Sequence, residues 1–414
     1  MGYTNKAIQG VSSNSVVKVL MTVIAALKMM ILARMLSQYD FGLFALVMVA
    51  IGIVESMTET GVNATIIQSS KSVSYFTNTA WVISIIRGLI ISIVMIIMGF
   101  GMRLFYDSPQ LFILVGIASL VPLIKGFINP FIVTLQKDML FFRDSLYRLS
   151  LLIVEAAATI SLAFLMRSVY ALIFGLIIAA VFEVILTFIM FKERPRFIYM
   201  KSRAQEIFEN MRGLNAMAIL AYIVENVDSI VVGKVTSTST LGVYQNSYGL
   251  THRLNLQLAK SVTHGTFPVY ARIQGDHGRL RRALFRTLGI SMLGFTLLGL
   301  PFFLFPEFTI RFFLGENWLE AIPLVRPLML AGLVQSVVSI CSAFFMARKS
   351  FSWLNINLLS TITLMLILIP WLSAQSGLVG AVLAVLLARI VSLPFVLIGV
   401  HQMLQQTPKY SQYT

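Results

Sequence analysis

This sequence is short of charge. Only 12% of its 414 residues are Asp, Glu, Lys or Arg, about half the share found in a soluble domain, while 57% are hydrophobic and the mean hydropathy is +0.85. That balance excludes an ordinary water-soluble globular chain. Cysteine is nearly missing as well: Cys341 stands alone, which excludes a disulfide framework or a cysteine-rich metal site. No P-loop, GxSxG, HExxH or glycine-rich dinucleotide turn occurs. The longest polar connection, "KERPRFIYMKSRAQEIFENMR" from Lys192, is too short for a catalytic domain. An enzyme is therefore not expected, nor a cofactor beyond a coupling H+ or Na+.

What the chain has instead is a succession of apolar stretches of roughly 20 residues, each long enough to cross about 30 Å of hydrocarbon as a helix. They fall near 12–36, 41–64, 79–102, 110–134, 145–166, 169–191, 212–233, 241–264, 284–306, 319–345, 352–374 and 377–400. The strict alternation of a β-barrel is missing. An all-α polytopic membrane protein of about twelve transmembrane helices is expected. The first stretch contains Lys18 and Lys28 and lacks a small-residue cleavage site, so it reads as a span rather than a signal peptide.

Acidic residues are the scarcer sign, 17 against 32 basic, for a net charge of +15. With both termini in the cytoplasm, Lys71, Lys137, Arg194, Arg196, Lys201, Arg203, Arg279, Arg281, Arg282 and Arg348 fall on the cytoplasmic side. Arg34, Arg103, Arg167, Lys234 and Arg311 fall outside. The bias fits the positive-inside rule, so the charge reports topology and contact with membrane lipids, not nucleic acid.

An internal repeat divides the chain. "ARMLSQYDFGLFALVMVA" from Ala33 matches "GKVTSTSTLGVYQNSYGL" from Gly233 at a shift that pairs Arg34 with Lys234, Ser37 with Ser237 and Gly42 with Gly242. Each copy joins the first span of a half to the second. Six spans per half is an even number, so the repeats are parallel, with a cleft between lobes. The expected lobes are 1–200 and 201–414, with 192–211 as a cytoplasmic linker. By the same argument the polar stretch "LTHRLNLQLAKSVTHG" from Leu250 belongs to the eighth span.

Ionisable residues at membrane depth are costly and mark sites by default. On one continuous eighth helix Asn246, Arg253, Gln257, Lys260 and His264 share roughly a 60° sector. Lys18 and Lys28 share a side of span one, and Arg87 and Lys125 lie in spans three and four. Arginine forks and lysine point charges suit a phosphate or diphosphate. The expected anionic-headgroup residues are therefore Arg253, Lys260, Lys18, Lys28, Arg87, Lys125, Asn246 and Gln257. Glu155 is expected to pair with Arg148. A carboxylate in a partly desolvated cavity can exchange a proton or join a Na+ shell, which makes Glu55, Glu59, Glu225 and Asp228 the coupling candidates. His252 and His264 point to different faces and form no metal site.

The stretch "ILARMLSQYDFGLFALVMVAIGIVESMTETGVNATIIQ" from Ile31 resembles the opening signature of the bacterial polysaccharide transporters, the Wzx-type oligosaccharide flippases of the MOP exporter superfamily. "NVDSIVVGKVTSTSTLGVYQNSYGL" and "TFPVYARIQGD" resemble the second-half signature. The resemblance implies two six-helix, MATE-like lobes and alternating access. It also implies movement of an undecaprenyl-diphosphate-linked oligosaccharide across the inner membrane, with a polysaccharide polymerase and a chain-length regulator as protein partners. The lipid II flippases carry two more spans, so O-antigen, capsule or exopolysaccharide units are the expected cargo. The alternatives are a cation-coupled multidrug exporter of the same superfamily and a membrane glycan polymerase or ligase.

Overall fold

The computed structural model describes residues 3–56, 61–211, 215–348 and 350–405, all helix, turn or coil, with no strand among them. In the first part of the chain the helices are α1 (Tyr3–Met35), α2 (Gln38–Ser56), α3 (Gly61–Gln68), α4 (Val73–Tyr106), α5 (Pro109–Ala118), α6 (Leu120–Lys125), α7 (Thr134–Lys137), α8 (Phe141–Met166), α9 (Tyr170–Met190) and α10 (Lys201–Met211). Then come α11 (Asn215–Val235), α12 (Thr238–Leu250), α13 (His252–Ile273), α14 (His277–Leu304), α15 (Pro306–Phe313), α16 (Ile322–Ala347) and α17 (Ser352–Gln405). Residues divide into two compact units, Met1–Asn226 and Val227–Thr414.

Among the described residues seven helices are long and apolar enough to cross a membrane, or up to eight if the bent pair Pro109–Lys125 and Pro130–Lys137 is one span. Their outer faces carry large apolar side chains in the open, among them Leu165 at 82% exposure and Ile189 at 74%, as a lipid-facing surface requires. This is a multi-pass membrane protein. Helices α1, α11, α12 and α13 fall outside that apolar set.

The repeat is visible in the backbone. Helix α1 ends at Met35 and α11 at Val235; α2 begins at Gln38 and α12 at Thr238. Both second helices open on the same device. The hydroxyl of Ser37 accepts from Asp40 N at 3.2 Å, and that of Ser237 accepts from Thr240 N at 3.1 Å, which satisfies an amide with no partner inside the helix. Gly42 and Gly242 are both buried on the helix that follows.

Two expected spans are interrupted. The fourth bends by 75°: α6 stops after Lys125, and Asn129 caps a 3-10 turn over Pro130–Val133 by accepting from Phe131 N at 3.1 Å. Pro122 and Pro130 each remove a donor, and Gly126 approaches α4 so closely that a Cβ there would lie 2.9 Å from Ser84 O. The eighth breaks at Thr251 (φ −112°, ψ −69°). Ser247 and Thr251 donate their hydroxyls to the carbonyls four residues back, Val243 and Ser247, at 2.7 Å each, a habit that bends helices.

Helix α17 is two arms. Its backbone leaves helical geometry at Ser376 and Gly377, where Gly377 has φ +57° and ψ −135°, a region open to glycine alone. Asn357 Nδ2 then donates to Ser392 O at 2.8 Å and Thr361 to Ser392 Oγ at 2.6 Å, so the second arm runs back along the first.

Candidate functional site

In the N-terminal unit the bend after α6 carries Lys125 to a polar cleft of about 220 Å³. Glu55 from α2, Arg87 from α4 and Lys125 line it, with Asp144, Tyr147 and Arg148 from α8 and Glu183 from α9. Lys125 Nζ stands 3.7 Å from Glu55 Oε1, and Arg148 Nε donates to Asp144 at 2.9 Å. Tyr147 donates its hydroxyl to Glu183 at 2.7 Å. Three expected site residues, Glu55, Arg87 and Lys125, therefore meet in one place. Cations and carboxylates are balanced there, and the Lys125–Glu55 contact is the longest of the three.

Lys28 is elsewhere. Its ammonium donates to Glu155 at 2.5 Å, joining α1 to α8, with each side chain 19% exposed. Glu155 thus pairs with Lys28, and Arg148 with Asp144, in place of the expected Arg148–Glu155 pair. The reason is geometric: Asp144 is one turn from Arg148 on the same helix. Lys18 is exposed on α1, and Glu225 is exposed on α11. Glu59 and the side chain of Arg253 lie outside the described residues.

In the C-terminal unit Asp228, 2% exposed, is the hub of a buried network. Tyr244 donates to Asp228 Oδ2 at 2.7 Å, and Ser229 N donates to Oδ1 at 2.7 Å. Arg389 from the second arm of α17 brings Nη2 within 3.9 Å of the same carboxylate. Its Nη1 lies 2.8 Å from Nδ1 and 2.5 Å from Nε2 of His252. The His252 ring, fully buried, lies tilted by 35° against Tyr248, with 4.3 Å between ring centroids. An anion, a cation and an imidazole are thereby held where no bulk water reaches, which is affordable only because each has a partner.

Sequence reasoning had Asp228 but not its setting. Arg389 is the only charge in "AVLAVLLARIVSL", and a lone arginine in so apolar a span signals an internal acid.

The break at Thr251 also corrects the expected stripe of the eighth span. Asn246 belongs to α12 and is buried, with its Nδ2 lacking a hydrogen-bond partner among the described residues. Gln257, Lys260 and His264 belong to α13 and are exposed. One continuous helix would have aligned all of them; two helices separate Asn246 from the rest.

With the geometry in place, comparison with known proteins identifies the family. A family model described as "Polysaccharide biosynthesis protein" matches residues 31–323. The chain belongs to this family. Within the polysaccharide biosynthesis family and its structural kin, the chain is similar to the lipopolysaccharide biosynthesis protein WzxC of Escherichia coli (strain K12). They are 22% identical over 403 residues, which cover 95% of this chain and 80% of the relative. Among solved structures it is similar to the lipid II flippase MurJ in an inward closed conformation, with a TM-score of 0.70 at 15% identity, covering 94% of this chain and 87% of that one. An inward-facing multidrug resistance MATE family transporter of the MOP superfamily matches with a TM-score of 0.68 at 14% identity, covering 94% and 96%. At these identities the likeness is one of fold: this polysaccharide biosynthesis protein shares the helical fold of these solved transporters.

Proposed function

We propose that the chain is an inner-membrane flippase for undecaprenyl-diphosphate-linked oligosaccharide units of an O-antigen, capsule or exopolysaccharide. One observation carries this reading: the similarity to WzxC extends over 95% of the chain, within a polysaccharide biosynthesis family. In this reading both termini are cytoplasmic, the lobes alternate access, and no covalent bond is made or broken. A polysaccharide polymerase and a chain-length regulator receive the product. Lys260, Arg253, Lys18, Arg87 and Lys125 neutralise the diphosphate on its way and Gln257 donates a hydrogen bond to it, while the polyprenyl tail stays in lipid.

H+ or Na+ drives the cycle through Glu55, Glu59, Glu225 and Asp228. The cleft in the N-terminal unit supplies a mechanism. A proton on Glu55 cancels the charge facing Lys125, 3.7 Å away, and strengthens the pull of the ammonium on an anion. Proton binding and anion binding then favour each other, and by linkage the coupling is reciprocal. Asp228 already faces Arg389, so an ion there must compete with a built-in cation.

Deleting the gene should remove the surface glycan and leave lipid-linked oligosaccharide facing the cytoplasm. Normal glycan with an altered drug-susceptibility panel would overturn the proposal in favour of a cation-coupled multidrug exporter. Lys125→Ala and Lys260→Ala should each lower export at unchanged protein levels. Polymer formed by the purified chain in vesicles would point to a polymerase instead.

A further inference from the structure

Helices α13 and α14 form an open cleft of about 750 Å³, lined by Thr266, Val269 and Tyr270 on one side and by Arg279, Arg282 and Arg286 on the other. On α14 the three arginines fall within about 60° of one another. Arg281, on the same helix, points roughly 160° away from Arg279. Neither helix contains an acid. The one carboxylate of their connection, Asp276, is committed to Arg279: it accepts from the backbone amide at 2.9 Å, and its Oδ2 lies 3.2 Å from Nε. Arg282 Nε reaches only the Gly278 carbonyl, at 3.3 Å. Arg286 has no acidic partner among the described residues.

A second observation points to a ligand. Tyr270, 1% exposed, lines this cleft, and its hydroxyl has only the neighbouring Thr266 and Thr287 hydroxyls for company, neither in full hydrogen-bonding geometry. A buried hydroxyl whose neighbours bond it imperfectly still has donor capacity to offer a ligand. The cleft thus offers charged forks, an unspent hydroxyl and apolar wall from Val269, Ala283 and Ile290. The arginines occupy the first ten residues of α14, within about 15 Å of its start, around the point near residue 284 where the apolar stretch begins and a span meets lipid headgroups.

We propose that this cleft binds the phosphate or diphosphate headgroup of an anionic lipid, with Arg282 and Arg286 as the forks, Tyr270 as the buried donor, and the acyl or prenyl chain lying along Val269 and Ile290. The seat is separate from the stripe assigned to the transported headgroup. On α13, Gln257, Lys260 and His264 face roughly the opposite way from Thr266, Val269 and Tyr270. The inference does not rest on the flippase reading, since a resident phospholipid and a polyprenyl-diphosphate substrate share this chemistry.

Native mass spectrometry of the full chain with dioleoylphosphatidylglycerol, dioleoylphosphatidylcholine or undecaprenyl diphosphate tests it. The unmodified chain should retain one anionic lipid in preference to phosphatidylcholine. The double variant R282Q/R286Q should bind that lipid about thirtyfold more weakly, roughly fivefold per arginine. Tyr270→Phe should weaken it by a smaller factor, and Arg281→Gln should leave it unchanged. In competition, displacement of phosphatidylglycerol by undecaprenyl diphosphate marks a loading seat, and resistance marks a resident lipid; either supports the site. Equal retention by the double variant and the unmodified chain overturns it. Should the double variant fail to fold, equal retention of phosphatidylcholine and phosphatidylglycerol by the unmodified chain overturns it alone.

Discussion

In the N-terminal unit charges are matched in separate pairs around a cleft, Lys125 with Glu55, Arg148 with Asp144 and, further off, Lys28 with Glu155; in the C-terminal unit Asp228, Arg389, His252 and Tyr244 share one network. Exposure separates the two arrangements. The side chains of Lys125 and Glu55 are 40% and 27% exposed, those of Arg389 and Asp228 8% and 2%. Water screens Lys125 and Glu55, so that pair is weak and can change partners; Lys28 and Glu155, each 19% exposed, stand between the two kinds. Nothing screens the second, so losing one member strands the other. The first suits groups that titrate or take a ligand during a cycle; the second suits a fixed joint between α11, α13 and the last arm of α17.

The sharpest way to break this contrast is Arg389→Gln, which leaves Asp228 buried opposite a neutral group. A loss of about 3–5 kcal/mol is expected, read as a collapse of monodisperse protein and of the thermal midpoint. Replacing both partners together, Arg389→Met with Asp228→Leu, should recover much of it. A single variant as stable as the parent would show that the network is not sealed. Tyr244→Phe takes away one hydrogen bond to the same carboxylate and should cost about 1–3 kcal/mol by the same measurement. Glu55→Gln, in the cleft, should change stability by less than about 1 kcal/mol yet alter the pH profile of export. A stability loss as large as that of Arg389→Gln would erase the distinction between units.

The smallest effect belongs to Lys71, which bonds Glu206 at 2.8 Å outside the spans. That hydrogen bond raises the lysine above its ordinary value of 10.5. A raised lysine stabilises the fold below its unfolded pKa and loses that contribution only as pH climbs through the folded one. Between about pH 6 and 9 Lys71→Met should therefore shift the thermal midpoint by a constant, small amount; a shift that grows across this window contradicts the pairing.

Much of the fold was legible because hydrocarbon imposes a simple rule on sequence: span length and the pairing of Ser37 with Ser237 located the helices and the repeat. The interruptions were harder to read. The bend after Lys125 depends on Pro122, Gly126 and Pro130 acting together, and the break at Thr251 on hydroxyls turning back onto their own helix. Site residues suffered from the same cause. Glu55, Arg87 and Lys125 converge because α6 bends, whereas Asn246 and Lys260 part because the eighth span is not one helix. Glu155 found Lys28 across 127 residues, a distance that helical spacing cannot see.

The turn at Ser376–Gly377 bears on how the protein is made. With Gly377 as the pivot, the two arms of α17 are separated by almost no chain, and no polar loop exists to wait in water while the second arm is synthesised. The two arms are therefore expected to enter the bilayer together as one hairpin. In a nascent chain stopped at Ser376, a cysteine introduced within residues 352–375 should stay open to a membrane-impermeant thiol reagent, while in a chain extended to Gln405 it should be protected. The last span thus carries Arg389 to Asp228 and also completes the insertion of the span before it.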